Sequence, residues 1–229
     1  MKKNKKKSIL CVVAHPDDEA LGVGGTLIKH VEQGDNVNIV IFSLGETSKL
    51  NKNVNLARRL KSAKEWSKRA GTKIYSILDF PDQKLDTISK LEIIQILEKI
   101  LKKLRPDILY THHDGDINHD HQIVSHAILT ALRPMNTLSL KSEIRTFETV
   151  SSTEQSPYTE RYVFKPNYYV DIEDVWEKKV KALQAYKNEL GSYPHPRSIE
   201  SLDALAIKRG IEAGLGKAEA FCIIRKIWQ

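Results

Sequence analysis

The chain has 229 residues, of which 41% are hydrophobic, and its formal net charge is +7. This length and composition exclude a disordered chain and favour one α/β domain. Five of the positive charges are lysines in residues 1–7, which we expect to form a flexible tail before a single domain at residues 8–229. The rest of the chain shows no basic stripe, so a nucleic-acid partner is not expected.

Strand and helix patterns alternate along the first 134 residues. Short apolar runs indicate buried strands, and apolar residues spaced three or four apart indicate helices. A glycine or a proline follows each predicted helix and ends it. The predicted strands cover residues 8–14, 36–44, 73–79 and 107–111, and the predicted helices cover residues 19–33, 54–70, 88–104 and 121–132.

This alternation predicts a Rossmann-like three-layer αβα sandwich with a mainly parallel sheet. Right-handed crossovers would place the first four strands in the order 3-2-1-4. Strands one and four are then neighbours. Their helices leave on opposite faces of the sheet, so a crevice is expected at the carboxyl ends of these two strands.

The second half of the chain has a less regular pattern. It predicts strands at residues 143–151, 162–171 and 218–227, and helices at residues 173–190 and 198–213. Residues 193–196 read Tyr-Pro-His-Pro, and two prolines in four residues indicate a loop.

The cysteine and hydropathy patterns bear on the compartment. Cys11 and Cys222 each lie in an apolar run, which indicates buried free thiols rather than a disulfide. The apolar run after the lysines is too short for a signal peptide, and no stretch approaches the roughly 20 apolar residues of a membrane span. We therefore expect a cytoplasmic protein without membrane insertion, whose apolar C-terminal helices would allow a homo-oligomer.

Two polar clusters follow the strands that are predicted to be neighbours. The first is His-Pro-Asp-Asp-Glu at residues 15–19, and the second, at residues 112–121, holds four of the eight histidines. Imidazole nitrogen and carboxylate oxygen both bind Zn²⁺, and a catalytic zinc typically has three protein ligands and one position for water. His15, Asp18 and one histidine of the second cluster would form such a set, with Asp17 beside it to take a proton from the water. Helix capping by an aspartate would not explain the histidines.

Two other features lie near the expected crevice. Glu46 follows the second predicted strand and is a candidate substrate-binding residue. Gly22, Gly24 and Gly25 would suit a nucleotide-binding turn, but the paired aspartates at that turn would repel a pyrophosphate. Close packing of the first helix on the sheet accounts better for these glycines.

Five short motifs extend over nearly the whole chain. They are His-Pro-Asp-Asp-Glu at 15–19, Gly-Gly-Thr at 24–26, Asn-His-Asp-His at 118–121, His-Pro-Arg-Ser at 195–198 and Ala-Glu-Ala-Phe at 218–221. In these motifs the chain resembles the PIG-L/LmbE-like family of zinc-dependent N-deacetylases. The resemblance implies that His15, Asp18 and His121 bind zinc, or another divalent metal, since a ligand set selects weakly among metals. It also implies that Asp17 is the general base.

The same resemblance implies roles for residues around the metal. Asp120 would be a carboxylate that orients a ligand histidine. Many relatives have a histidine at the position of Asn118, where it polarises the substrate carbonyl, whereas an asparagine amide can donate a hydrogen bond but not a proton. His119 lies beside this position but out of register with the motif. His195 would donate to the oxyanion or the leaving amine, and Arg58, followed by Arg59, would contact the substrate.

The sequence therefore predicts a zinc-dependent hydrolase that removes an N-acetyl group from an amino sugar or a sugar conjugate. One alternative is the same chemistry on another amide, such as a thiol-sugar S-conjugate. Another is a non-catalytic Rossmann-like module that binds a nucleotide or a different ligand. Binding of a nucleic acid by the lysine tail is the least favoured alternative.

Overall fold

The computed structural model describes residues 6–44, 52–134 and 140–228. The strands in these ranges are β1 (Ser8–Val13), β2 (Asn36–Ile41), β3 (Lys73–Ile77), β4 (Ile108–His112), β5 (Glu143–Phe147), β6 (Tyr168–Asp171) and β7 (Ala218–Arg225). The α-helices are α1 (Asp18–Glu32), α2 (Lys52–Ala70), α3 (Lys90–Leu104), α4 (His119–Ala131), α5 (Trp176–Leu183) and α6 (Ile199–Ala213). All seven strands form one sheet in the order β3-β2-β1-β4-β5-β7-β6.

The first four strands have the arrangement that the alternating pattern predicts. β1 pairs in parallel with β2 and with β4, and β2 pairs in parallel with β3, so the order 3-2-1-4 is confirmed. β1 is buried on both faces. Ile9 and Cys11 belong to a core that includes residues of α1, α2, α5 and α6, whereas Leu10 and Val12 belong to a core that includes residues of α3 and α4. The fold is therefore an α/β sandwich of three layers.

The second half departs from the prediction in its details. β7 lies between β5 and β6 and is antiparallel to both, and the strand predicted at 162–171 is confined to Tyr168–Asp171. The helix predicted at 173–190 is replaced by α5 with a 3-10 turn on each side, at Glu173–Val175 and Gln184–Tyr186. The second turn ends at Tyr186, whose ring is buried and whose hydroxyl reaches Glu19 of α1. A local sequence pattern cannot predict this contact, because the two residues lie 167 positions apart in the chain.

Helix α1 packs closely on the sheet, as its glycines predict. A Cβ atom on Gly22 would lie 2.3 Å from the Phe147 ring of β5. Further along, the backbone N–H groups of Gly25 and its neighbour Thr26 donate to the Glu219 carboxylate of β7, at 2.8 and 2.7 Å. Lys179 of α5 pairs with the same carboxylate at 2.7 Å. These buried contacts hold α1, and hence its first turn, in a fixed orientation over the sheet.

Some expectations fall on residues that the structure does not describe. Glu46 and residues 1–5 of the lysine tail lie outside the described residues, so both expectations stay predictions. Both cysteines are free thiols, Cys11 buried and Cys222 half-buried. Among the described residues, no helix is long and apolar enough to cross a membrane.

Candidate metal centre

The two polar clusters lie at the carboxyl ends of neighbouring strands. β1 ends at Val13 and α1 begins at Asp18, so residues 14–17 turn over the edge of the sheet. β4 ends at His112 and α4 begins at His119, so residues 113–118 turn over the same edge. Because β1 and β4 are parallel and adjacent, the two turns face one crevice.

His15, Asp18 and His121 come together in this crevice. Each offers one ligand atom, and the three atoms lie within 4.8 Å of one another. Asp18 Oδ2 is 3.5 Å from His15 Nδ1 and 3.4 Å from His121 Nε2. Both ring nitrogens of His121 are buried and without a hydrogen-bond partner in the described residues, which is unfavourable unless another group binds there. Two imidazole nitrogens and one carboxylate oxygen suit a zinc ion, so these residues fit the metal that the resemblance implies.

The remaining nitrogen of each histidine faces a further carboxylate. His15 Nε2 lies 3.0 Å from Asp120 Oδ2, and His121 Nδ1 lies 3.2 Å from Asp116 Oδ2, the latter without hydrogen-bond alignment. A carboxylate that accepts from the second ring nitrogen fixes the tautomer and the ring orientation of a metal-binding histidine, and Asp120 is placed to do this for His15. Asp120 faces His15 and not the adjacent His121, since consecutive residues of a helix point about 100° apart.

Two carboxylates beside the histidines, Asp116 and Asp82, were not predicted from the sequence. Asp116 lies inside the second cluster and accepts hydrogen bonds from Ser152 and Thr153. Asp82 is buried, and its Oδ1 lies 3.1 Å from His15 Nε2. Its position just after β3, at the carboxyl edge of the sheet, is the signal that would have pointed to it.

Asp17 has an unusual backbone conformation beside the candidate ligands. Its φ of 105° and ψ of −30° lie outside the regions that side-chain-bearing residues usually adopt, at a cost of about 1–3 kcal/mol. Its side chain does not cap α1, so helix capping does not explain it. Instead the carboxylate accepts a hydrogen bond from Arg197 Nη1 at 2.9 Å, and Arg59 Nη2 lies 3.7 Å away.

A cavity of about 190 Å³ opens over these residues. It is lined by the three candidate ligands and Asp17, and also by Asp82, Gln83, Asn118, Ser151, Ser152, Glu189, Arg59 and Arg197. The lining is thus polar, with cationic and anionic side chains side by side. This composition suits a small polar substrate with several hydrogen-bonding groups.

The structure brings Asn118 to the cavity but leaves His119 outside it. Asn118 Oδ1 caps α4 by accepting the Asp120 backbone N–H at 3.0 Å, and its N–H₂ group is therefore the part of the amide left to meet a ligand. His119 is exposed and contributes nothing to this cavity.

Two residues predicted to contact the substrate do not line the cavity, and in each case a nearby arginine does. Arg58 is exposed on α2, whereas Arg59 is buried and donates to the Pro16 carbonyl at 2.8 Å. Consecutive residues of a helix point about 100° apart, so the two arginines face in different directions. His195 is likewise exposed in the two-proline loop, while Arg197 faces Asp17. The sequence motif contains Arg197, but no spacing rule distinguishes it from its neighbours.

The paired aspartates have different electrostatic surroundings. Burial raises the pKa of Asp17, and Asp18 adds to this, although Arg197 opposes it. For Asp18 burial acts in the same direction, but His121 and His112 hold its pKa well below the usual range. Such a separation is typical of sites in which one carboxylate stays ionised and the other exchanges a proton.

Comparisons with known proteins find related sequences and structures. The family model described as "PIG-L: GlcNAc-PI de-N-acetylase" matches residues 10–132, more than half of the chain and the part that contains both clusters. The chain is 29% identical over 195 residues to a diacetylchitobiose deacetylase of Thermococcus kodakarensis, covering 81% of this chain and 71% of the relative. It is 25% identical over 222 residues to a 4-oxalmesaconate hydratase of Pseudomonas putida, covering 91% of this chain and 81% of the relative.

One solved structure similar to this chain is the N,N'-diacetylchitobiose deacetylase of Pyrococcus horikoshii. The TM-score is 0.76 at 26% sequence identity, over 95% of this chain and 84% of that chain. The likeness therefore extends beyond the two clusters to nearly the whole fold.

Proposed function

The chain belongs to the PIG-L family, and from this premise we propose that it is a zinc-dependent hydrolase that removes an N-acetyl group from an amino sugar or a sugar conjugate. The observation that carries the proposal is the buried set of His15, Asp18 and His121, with Asp17 on the same cavity. A hydratase among the relatives means that the family alone does not decide the reaction. The side chains of the cavity must carry the argument.

The side chains present account for each part of an amide hydrolysis. When bound, zinc would lower the pKa of a water molecule towards ~7 and polarise the acetyl carbonyl. Asp17 takes one proton from the water as the water oxygen bonds to the acetyl carbon, and it returns that proton to the nitrogen. The C–N bond then breaks, and acetate and the amine leave, with the second water proton on the amine. Asn118 donates from its N–H₂ group to the carbonyl oxygen as negative charge develops there.

Asp17 suits the role of base because Arg197 fixes its carboxylate. An Nη1–Oδ2 distance of 2.9 Å holds that carboxylate on the cavity wall, next to the ligand Asp18. A base held in place avoids the loss of rate that follows from small misplacements. We propose that Arg59 and Arg197 together keep Asp17 in position and bound the space that the sugar occupies.

The rival functions make different predictions for the same purified protein. A hydratase would use an activated water and a base but would release no acetate. An amidase for a thiol-sugar S-conjugate would hydrolyse that conjugate faster than any N-acetylated sugar. A non-catalytic binding module would hold no stoichiometric zinc.

The test is a panel of N-acetylated sugars and sugar conjugates assayed for released acetate, with the zinc content measured on the same samples. We expect turnover of at least one member of the panel and about one zinc per chain. The Asp17→Ala variant should keep its zinc and lose turnover by a factor of ~10²–10⁴. Loss of zinc in that variant would make Asp17 a ligand and contradict its assignment as base.

A further inference from the structure

The backbone of Asp17 needs support from outside its own turn. Asp17 and Asp18 are consecutive, yet both carboxylates line the cavity. Asp17 is the N-cap residue of α1 and has a positive φ, whereas Asp18 is the first residue of the helix. A residue stays in such a conformation only when its surroundings hold it there.

Two buried side chains supply that support. Glu19 Oε2 accepts the backbone N–H of Asp17 at 3.1 Å, and the Tyr186 hydroxyl donates to Glu19 Oε1 at 2.6 Å. Glu19 is 1% exposed and Tyr186 is 2% exposed. Neither lines the cavity, so neither can touch a substrate that binds in it.

We propose that Tyr186 and Glu19 are positioning residues, which hold Asp17 in its positive-φ conformation and so aim its carboxylate at the reacting water. The inference rests on the proposed function only in that it takes Asp17 to be the base. Tyr186 lies 167 residues from Glu19 along the chain, in the turn after α5. The orientation of the Asp17 carboxylate therefore depends on how the second half of the chain packs against α1.

The test compares two tyrosines that differ in what their hydroxyl groups hold. Tyr186→Phe removes only the hydrogen bond to Glu19 and keeps the ring in the core. Tyr110→Phe is the matched control, because the Tyr110 hydroxyl is equally buried and contacts His30 and Arg145, away from the cavity. We expect Tyr186→Phe to lower kcat about 10-fold, with KM within about twofold and zinc content unchanged, and Tyr110→Phe to leave kcat unchanged.

Equal kcat values for the two variants would overturn the proposal, as would loss of zinc from Tyr186→Phe. Substitution of Glu19 gives a second test. A glutamine can accept from the Asp17 N–H with its oxygen and donate to the Tyr186 oxygen with its amide, so Glu19→Gln should keep kcat within about threefold. Glu19→Ala can do neither and should lose at least as much kcat as Tyr186→Phe. If Glu19→Gln were as impaired as Glu19→Ala, the hydrogen bonds would not be the cause.

A readout without turnover separates this inference from the proposed function. Crystal structures of the metal-free wild type and Tyr186→Phe should show Asp17 at positive φ in the first and displaced from it in the second. An unchanged Asp17 in the variant would overturn the inference. If the wild type released no acetate from any substrate, the proposed function would fail, while the Asp17 conformation would still test the positioning role.

Discussion

His30 and His121 are both buried helical histidines that pack against the same sheet, yet their ring nitrogens have different surroundings. His30 Nδ1 lies 2.7 Å from Asp35 Oδ2, and His30 Nε2 lies 2.9 Å from the Tyr110 hydroxyl. Arg145 Nη1 donates to that hydroxyl at 2.8 Å and closes the network. His121 has carboxylates near both nitrogens but a hydrogen bond to neither.

The difference teaches how to distinguish a structural cluster from a functional one. In the His30 network both ring nitrogens have partners, so the network explains itself as part of the core. Around His121, by contrast, the ligand atoms of His15, Asp18 and His121 lie within 4.8 Å of one another, and His121 Nε2 has no hydrogen-bond partner among the described residues. This is expected where another group completes the set. Variants in the two groups should therefore differ in zinc content, turnover and stability.

The largest expected difference is between the two histidines themselves. His121→Ala should abolish stoichiometric zinc and reduce acetate release ~10³-fold or more, because both the water activation and the carbonyl polarisation are lost. His30→Ala should keep both properties and lose only stability, by about 1–3 kcal/mol for the partners left unsatisfied. Zinc analysis, kinetics and denaturant unfolding measure the three quantities. Stoichiometric zinc in the His121→Ala protein would contradict the assignment of His121 as a metal ligand.

A smaller effect is expected at the helix caps. Asn118→Ala removes the cap of α4 and the proposed donor to the substrate carbonyl, so kcat should fall ~10²–10³-fold. Ser198→Ala is the control, because the Ser198 side chain caps α6 by accepting the Ser201 N–H at 3.0 Å. Both variants should lose about 0.5–2 kcal/mol of stability, but only the first should lose turnover. A matching loss of kcat in Ser198→Ala would attribute the effect to capping.

The smallest expected effect concerns pH and the His30 network. Burial lowers the pKa of His30, although Asp35 opposes this, while an unfolded histidine titrates near ~6.5. As the pH falls through that value the unfolded chain binds the proton first, so the folded state loses stability. Between about pH 7.5 and about pH 5.5 the unfolding free energy of the wild type should fall more than that of His30→Gln. Equal falls would show that His30 does not contribute.

Much of the fold could be predicted, because it depends on local patterns. The alternation of apolar runs and helical spacing predicts alternating strands and helices. Because the connections between parallel strands are right-handed, these elements give the strand order β3-β2-β1-β4. The insertion of β7 between β5 and β6 has no such rule, since antiparallel strands far apart in sequence can pair in several orders. The predicted helix at 173–190 is divided into α5 and two 3-10 turns. Tyr186, at the end of the second turn, contacts Glu19 of α1, and a local pattern cannot predict a contact between residues so far apart in sequence.

The candidate site could likewise be predicted only in part. His15, Asp18 and His121 come together because motifs at the ends of adjacent strands must meet. Arg58 and His195 are exposed and do not line the cavity. The sequence motifs place both residues near the site, but they do not fix the direction in which each side chain points. Arg59 and Arg197 occupy those places instead.

The most direct test of the metal site is an anomalous difference map at the zinc edge from crystals of the zinc-loaded protein. The described residues contain two groups that could hold an ion, His15 with Asp18 and His121, and His15 with Asp82 and Asp120. We expect a single peak, in the first group, with ligand distances of about 2.0–2.2 Å. A peak in the second group alone, or none at all, would contradict the account.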